Sequence, residues 1–232
     1  MRQALRRRRL SRLRHAEKEE KRGVIMKNID SLIETAAELK AEGLVEGQIA
    51  EELNISRETV TWLLTHGEKR SGIQGPKDVS VDWSSIGKSS IRLRQVSMAL
   101  TDMILESLEC SDADVDVVVG VALSGVPIAS MVAEELGAEL AVYTPTKQRW
   151  SQEKGEAEFK GIFSSNFSDV SDADCVIVDD VITSGRTLEE AVEELNNHGA
   201  STNAIGVLLD KKGVDDILGV PVSSLLQIIR VN

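Results

Sequence analysis

Aromatic side chains are scarce in this chain of 232 residues: three Phe, three Trp and one Tyr make up 3% of it. So few rings argue against the stacking platforms on which single-stranded nucleic acids are bound. Cysteine is scarcer still. Cys110 and Cys175 lie far apart and form no CxxC spacing, so neither a disulfide framework nor a cysteine-based zinc site is expected. Both thiols are expected to be buried, in a reducing cytoplasm. No apolar run approaches the roughly 18 residues that a spanning helix needs, which excludes a membrane-embedded chain. Net positive charge is also lacking. At −11 overall the protein is no basic coat for nucleic acid. What is present is enough apolar material, 41% of residues, for one large or two modest cores.

The charge is unevenly spread. Residues 1–25 hold ten Lys/Arg and three Glu, a net +7, which leaves −18 on the remainder. This arm, with Arg6 to Arg9 at its centre, reads either as a basic tail able to grip phosphates or as a start assigned upstream of Met26, where a capped helix begins. A targeting role fits less well, because no apolar stretch follows the basic residues and His15 to Glu20 is acidic.

Residues 26–70 read as an all-α domain. Ile29, Leu32, Ile33, Ala36, Ala37 and Leu39 recur at helical spacing over 28–40, and Gly43 ends the pattern. Two shorter helices follow over 47–64, with Ile49, Ala50, Leu53, Ile55, Val60 and Leu63 as their inner face. Ala50 is small where helices cross, Asn54 tolerates a left-handed turn, and Ser56 can cap the next helix. That grammar is a helix-turn-helix. If it binds double-stranded DNA, Ser56, Arg57, Glu58, Thr61 and Trp62 are the candidate readers, Arg57 suiting guanine, with His66, Lys69 and Arg70 for the backbone. The alternative is a packing or dimerisation module with Trp62 in its core. Five Lys/Arg against nine Asp/Glu over 27–70 favour that alternative, and DNA binding by so acidic a domain calls for two copies on one site.

Glycines, Pro76 and serines mark residues 71–90 as a linker. Residues 91–232 then alternate in βα order: a helix over 91–108, strand 115–119, helix 127–136 ended by Gly137, strand 139–143, strand 175–178, helix 188–197, strand 203–209, and short closing strands over 220–231. The fold class expected is α/β, a parallel-sheet domain preceded by the helical one. The stretch 144–174, carrying Lys147, Arg149, Lys154 and Lys160, is long and polar as a lid would be.

The chemistry concentrates in Val176-Ile-Val-Asp-Asp-Val-Ile-Thr-Ser-Gly-Arg-Thr-Leu188. An unalternating apolar strand ends on two carboxylates and a small-residue turn that opens a helix. Asp179 and Asp180 can accept from vicinal ribose hydroxyls. Thr183, Ser184, Gly185, Arg186 and Thr187 surround a phosphate position at a helix N-terminus. The bland alternative is an ordinary strand-loop-helix turn with capping aspartates. These thirteen residues resemble the phosphoribosyl pyrophosphate (PRPP) signature of type I phosphoribosyltransferases, nearest the orotate enzymes, and Gly120 to Ala129, with Leu123, Ser124 and Gly125, resembles their pyrophosphate loop. The resemblance covers roughly residues 79–230. It implies PRPP held with Mg2+, no separate protein metal site, and a homodimer.

Three departures from that pattern bear on catalysis. The leaving pyrophosphate needs cations and hydrogen-bond donors, yet Ser124 stands where orotate enzymes tend to have lysine, and the lid has no histidine. Asp210-Lys211 replaces an Asp-Arg pair, and lysine cannot copy the bidentate grip of arginine on orotate. The whole chain from Met26 onward resembles archaeal orotate phosphoribosyltransferase-like regulators of sugar catabolism, in which a helix-turn-helix precedes such a domain. The resemblance implies a cytoplasmic, non-catalytic transcription regulator that senses PRPP or a related sugar phosphate. An active phosphoribosyltransferase with an accessory helical domain is the alternative.

Overall fold

The computed structural model describes residues 29–66, 77–146 and 161–229; the basic arm lies outside them. The N-terminal unit is three helices, α1 (Ile29–Ala41), α2 (Glu46–Glu52) and α3 (Arg57–His66). They close on Ala36, Ile49, Ala50, Leu53, Ile55, Val60 and Leu63, none more than 9% exposed. Ile29 and Ala37 fall outside that core, so the buried stripe of α1 is narrower than its periodicity suggests. Asn54 turns α2 into α3 at φ +51°, a conformation that its short polar side chain tolerates. Ser56 caps α3: its Oγ accepts from the Thr59 N–H at 3.2 Å, which satisfies one of the orphan donors of the first turn.

The expected linker is not a spacer where it is described. Residues 77–83 run as a strap between the units, a short helix α4 (Ser84–Gly87) follows, and Val81, Trp83 and Ile86 pack against the core of the sheet domain. Glycine and serine content suggested a boundary, but three apolar side chains spaced along the strap find buried surface on the sheet domain.

That domain holds α5 (Ser90–Ser111), β1 (Val117–Val121), α6 (Gly125–Leu136), β2 (Glu139–Thr144), β3 (Ile162–Phe163), β4 (Asp174–Ile182), α7 (Arg186–Asn197), β5 (Ser201–Asp210), β6 (Asp216–Ile217) and β7 (Val220–Gln227). The sheet order is β3-β2-β1-β4-β5-β7-β6, parallel from β2 to β7 and antiparallel at both edges. Successive residues of β1 and β4 alternate between two covered faces. Val118, Val176 and Val178 meet α5 and α6, whereas Val117, Val119 and Ile177 meet α7. Double coverage explains why neither strand shows polar alternation. A Cβ on Gly120 would lie 2.8 Å from the Ala129 Cβ, so glycine is what lets α6 lie close on β1.

Two expectations are corrected here. The closing segment forms one eight-residue strand, β7, in parallel register with β5 from Ile205↔Val222 to Asp210↔Gln227; the serines in its middle hid a strand whose partner edge is long and apolar. Cys110 is exposed at the end of α5, and only Cys175 is buried. Burial beside Asp174 and Asp116 pushes the Cys175 thiol up to about 12. Among the described residues no helix is long and apolar enough to cross a membrane.

Candidate functional site at the domain junction

Strands β1 and β4 are neighbours, so the segment 122–125 after β1 lies beside the end of β4 and its turn, 179–185, where ligands of open α/β folds bind. Their contact is direct. A Cβ on Gly125 would lie 2.7 Å from the Val178 carbonyl oxygen and 2.9 Å from the Asp179 Cα. Glycine there is what allows the loop after β1 to press on the two carboxylates. Leu123 and Ser124 stay exposed beside it.

Asp179 and Asp180 lie within the last part of β4, both half-buried, and the strand runs on through Val181 and the buried Ile182. Asp179 Oδ1 accepts from the Asp180 N–H at 2.8 Å, and Asp180 Oδ2 accepts from Trp83 Nε1 at 2.9 Å. Burial raises the Asp180 pKa and the negative charge of Glu51 adds to it, while the hydrogen bonds with Trp83 and Asp179 pull the other way. The turn after β4 places Gly185 at φ +86° immediately before α7, a left-handed position that favours glycine. Ser184 and Arg186 are exposed and Thr183 and Thr187 half-buried around it. The N-terminus of a twelve-residue helix behind such a turn is suited to an anion.

One cation was missed from sequence. A Cβ on Gly185 would lie 3.3 Å from Lys212 Nζ, and that ammonium is 3.9 Å from Glu189 Oε1. Lys212 therefore overhangs the turn that precedes α7. Its neighbour Asp210 explains the placement: the buried carboxylate accepts from the N–H groups of Lys212, Gly213 and Val214 at 2.8–2.9 Å and folds this loop back. The only hint in the sequence was a Lys-Lys pair directly after a buried strand.

The start of the expected lid is anchored. Glu190 on α7 accepts from the Tyr143 hydroxyl, the Thr146 N–H and the Thr146 hydroxyl at 2.8, 2.9 and 2.6 Å. Burial and this carboxylate hold the Tyr143 pKa well above the ordinary phenol value. Lys147, Arg149, Lys154 and Lys160 lie outside the described residues.

The helical domain forms one wall of the site. A cavity of about 280 Å³ opens between Leu44, Gln48, Glu51, Glu52 and Asn54 on one side and Leu123, Ser124, Asp179, Asp180 and Thr183 on the other. Polar contacts through the strap hold the domains in this arrangement. Lys211 Nζ donates to the Asn54 carbonyl at 2.7 Å and to Asp78 Oδ1 at 2.9 Å. Asp78 Oδ2 in turn accepts from the Ser56 N–H at 2.6 Å and the Thr59 hydroxyl at 2.9 Å, at the first turn of α3. Asn54 Nδ2 donates to the Val81 carbonyl, and the Ser80 hydroxyl to that of Leu53.

On α3, Arg57, Glu58 and Thr61 are exposed. Arg57 Nε is 3.7 Å from Glu46 Oε2, which also accepts from the Thr61 hydroxyl at 2.9 Å. Ser56 and Trp62 differ from the other three. Ser56 is committed to the cap and the strap, and Trp62 packs half-buried against the helical core with its Nε1 enclosed. A reading role for Trp62 conflicts with that burial. Lys69, Arg70 and the His66 side chain lie outside the described residues.

Comparison with known proteins follows the same division. The phosphoribosyl transferase domain family matches residues 83–216. Transcriptional regulator GfcR of Methanothrix thermoacetophila is 63% identical over 207 residues, covering 89% of this chain and 100% of that protein. Transcriptional regulator GfcR of Halobacterium salinarum is 45% identical over 212 residues, covering 89% and 98%. Among solved structures, the orotate phosphoribosyltransferase of Aeropyrum pernix is 23% identical, covering 68% of this chain and 83% of that one with a TM-score of 0.49.

Proposed function

Since the chain belongs to the archaeal family of transcriptional regulators named GfcR and carries a phosphoribosyl transferase domain, we propose that it is a DNA-binding regulator of sugar metabolism. Its sheet domain senses PRPP or a related sugar phosphate without turning it over, and it acts as a homodimer on paired half-sites. The observation that carries this reading is the fate of Lys211. By the resemblance drawn from sequence, its position holds the arginine that grips orotate, yet here its ammonium bonds Asn54 and Asp78. A group that would serve a substrate base serves the contact with the helical domain instead.

Residues suited to the ribose 5-phosphate part of a ligand remain: Asp179 and Asp180 as acceptors, the turn Thr183 to Thr187, and Lys212 beside it. Among the described residues no group of three or more His, Cys, Asp or Glu side chains is placed to hold a metal ion. Mg2+ would be held by the ligand's own phosphate oxygens, whose charge it would neutralise. Such a ligand changes DNA affinity only by binding the DNA-competent and incompetent states unequally.

Calorimetry of the full chain with PRPP and Mg2+ tests the sensor. Asp180→Asn is expected to weaken binding with the fold intact, and unchanged affinity would remove the ribose-holding role. Pyrophosphate release on adding orotate, uracil or purine bases is expected to stay at background. Robust turnover with any base would make the domain an enzyme.

A further inference from the structure

The cavity at the junction extends past the two aspartates to helix α2, and its outer wall belongs to the helical domain. We propose that the effector site is composite: Glu51 and Gln48 of α2 contact the part of the ligand that lies beyond its sugar-phosphate end, so the effector is a polyhydroxylated sugar phosphate read by both domains. The proposal rests on the sugar-phosphate reading above and adds the chemistry of the far end.

Three observations support it. Glu51 and Asp180 line the same cavity from opposite sides, so a ligand held at Asp180 comes within reach of α2. The wall supplied by α2 and its turn offers the carboxylates Glu51 and Glu52, and the amides Gln48, whose Oε1 already accepts from the Val45 N–H, and Asn54, whose Nδ2 already donates to the Val81 carbonyl. Carboxylates accept strongly from hydroxyl groups, and amides both donate and accept. These acceptors match the hydroxyls of a sugar, while Trp83, which lines the adjoining cavity, has its N–H engaged by Asp180. Leu44 and Leu123 can cover the carbon skeleton.

A ligand touching both walls links them. Its hydroxyls at Asp180 meet the acceptor that Trp83 uses, and Trp83 terminates the strap that bonds Leu53, Asn54, Ser56 and Thr59. Occupancy therefore reaches the first turn of α3 by α2 directly and by the strap. Such a contact shifts DNA binding if it is made in only one of the two states.

The test compares two probes on the full chain, ribose 5-phosphate and the longer sedoheptulose 7-phosphate, in wild type and Glu51→Ala. The longer sugar is expected to bind the wild type more tightly, and Glu51→Ala to reduce the ratio of the two affinities by about tenfold, the usual weight of a charge-assisted hydrogen bond. Amide exchange on the wild type provides a readout that does not depend on the variant folding: sedoheptulose 7-phosphate is expected to slow exchange over residues 46–54. An unchanged ratio in a folded variant, or no slowing over 46–54, overturns the composite site while leaving the sheet-domain reading in place. Failure of both probes to bind the wild type overturns the composite site, and failure of PRPP with Mg2+ as well overturns the sheet-domain reading.

Discussion

Removing the Lys211 ammonium should loosen the two domains from each other before it harms either core. Lys211 is 7% and Asp78 14% exposed on their side chains, so this is a largely desolvated pair. Burial by itself would raise the Asp78 pKa. The hydrogen bonds from the Ser56 N–H, Lys211 and the Val79 N–H, with the charge of Lys211, overcome that and hold it at about 2 against an ordinary 3.8. That drop corresponds to about 2 kcal/mol of preference for the charged, bonded form. Breaking a buried pair by deleting one partner removes roughly 3–5 kcal/mol. Here the figure should be lower, about 2–3 kcal/mol, because Asp78 keeps three other donors, the N–H groups of Ser56 and Val79 and the Thr59 hydroxyl.

Lys211→Met, Asp78→Asn and the double variant form the cycle to measure by urea unfolding, with amide exchange over 54–60 and 78–83 locating the loss. The cycle should give a coupling above about 1 kcal/mol, and exchange should rise in those segments. The sign with pH follows from the lowered pKa. Asp78 contributes its full stabilisation above about pH 4, the unfolded value, and loses it as pH falls toward 2. Wild type should thus lose the extra exchange protection on acidification, and Asp78→Asn should not respond. Coupling within about 0.5 kcal/mol of zero, with exchange unchanged, would refute the idea that this pair joins the domains.

Gly125→Ala should destabilise the sheet domain by about 1–3 kcal/mol, the usual range for overpacking, because its Cβ would stand against Val178 and Asp179 backbone; thermal unfolding and sugar-phosphate calorimetry should fall together. A thiol reagent should modify Cys110 quickly in the native protein and Cys175 only after denaturant is added, since burial disfavours its thiolate. Two fast-reacting thiols would contradict the packing of β4.

The parts of this molecule that were legible in sequence are those with local signals. Asn54 at its left-handed turn, Ser56 at its cap and the apolar faces of α2 and α3 each follow from neighbours within a few residues. So does the apolar start of β4, whereas its continuation through Asp179 and Asp180 to Ile182 was hidden by the two carboxylates and is held by pairing with β5. The junction was opaque for the opposite reason. Lys211 meets Asn54 and Asp78, and Trp83 meets Asp180, across separations of 157, 133 and 97 residues, and no periodicity encodes such pairs. The strap was hidden by its surroundings, since glycines and serines on either side of it resemble a spacer while Val81 and Trp83, with Ile86 of α4, pack half-buried against the sheet domain. Trp62 misled because its place on a recognition-type helix suggests contact with DNA, whereas its ring completes a core otherwise built from small aliphatic side chains.

On the function proposed above, sugar-phosphate binding over the sheet alters DNA binding by α3. Fluorescence anisotropy of a labelled fragment from the organism's own promoter DNA, titrated with the full chain at moderate salt, measures it directly. With PRPP and Mg2+ or sedoheptulose 7-phosphate at saturation, the half-binding concentration should move by at least about fivefold, and the shift should vanish in Asp180→Asn. Superimposable curves with and without a sugar phosphate that calorimetry shows to be bound would contradict the account.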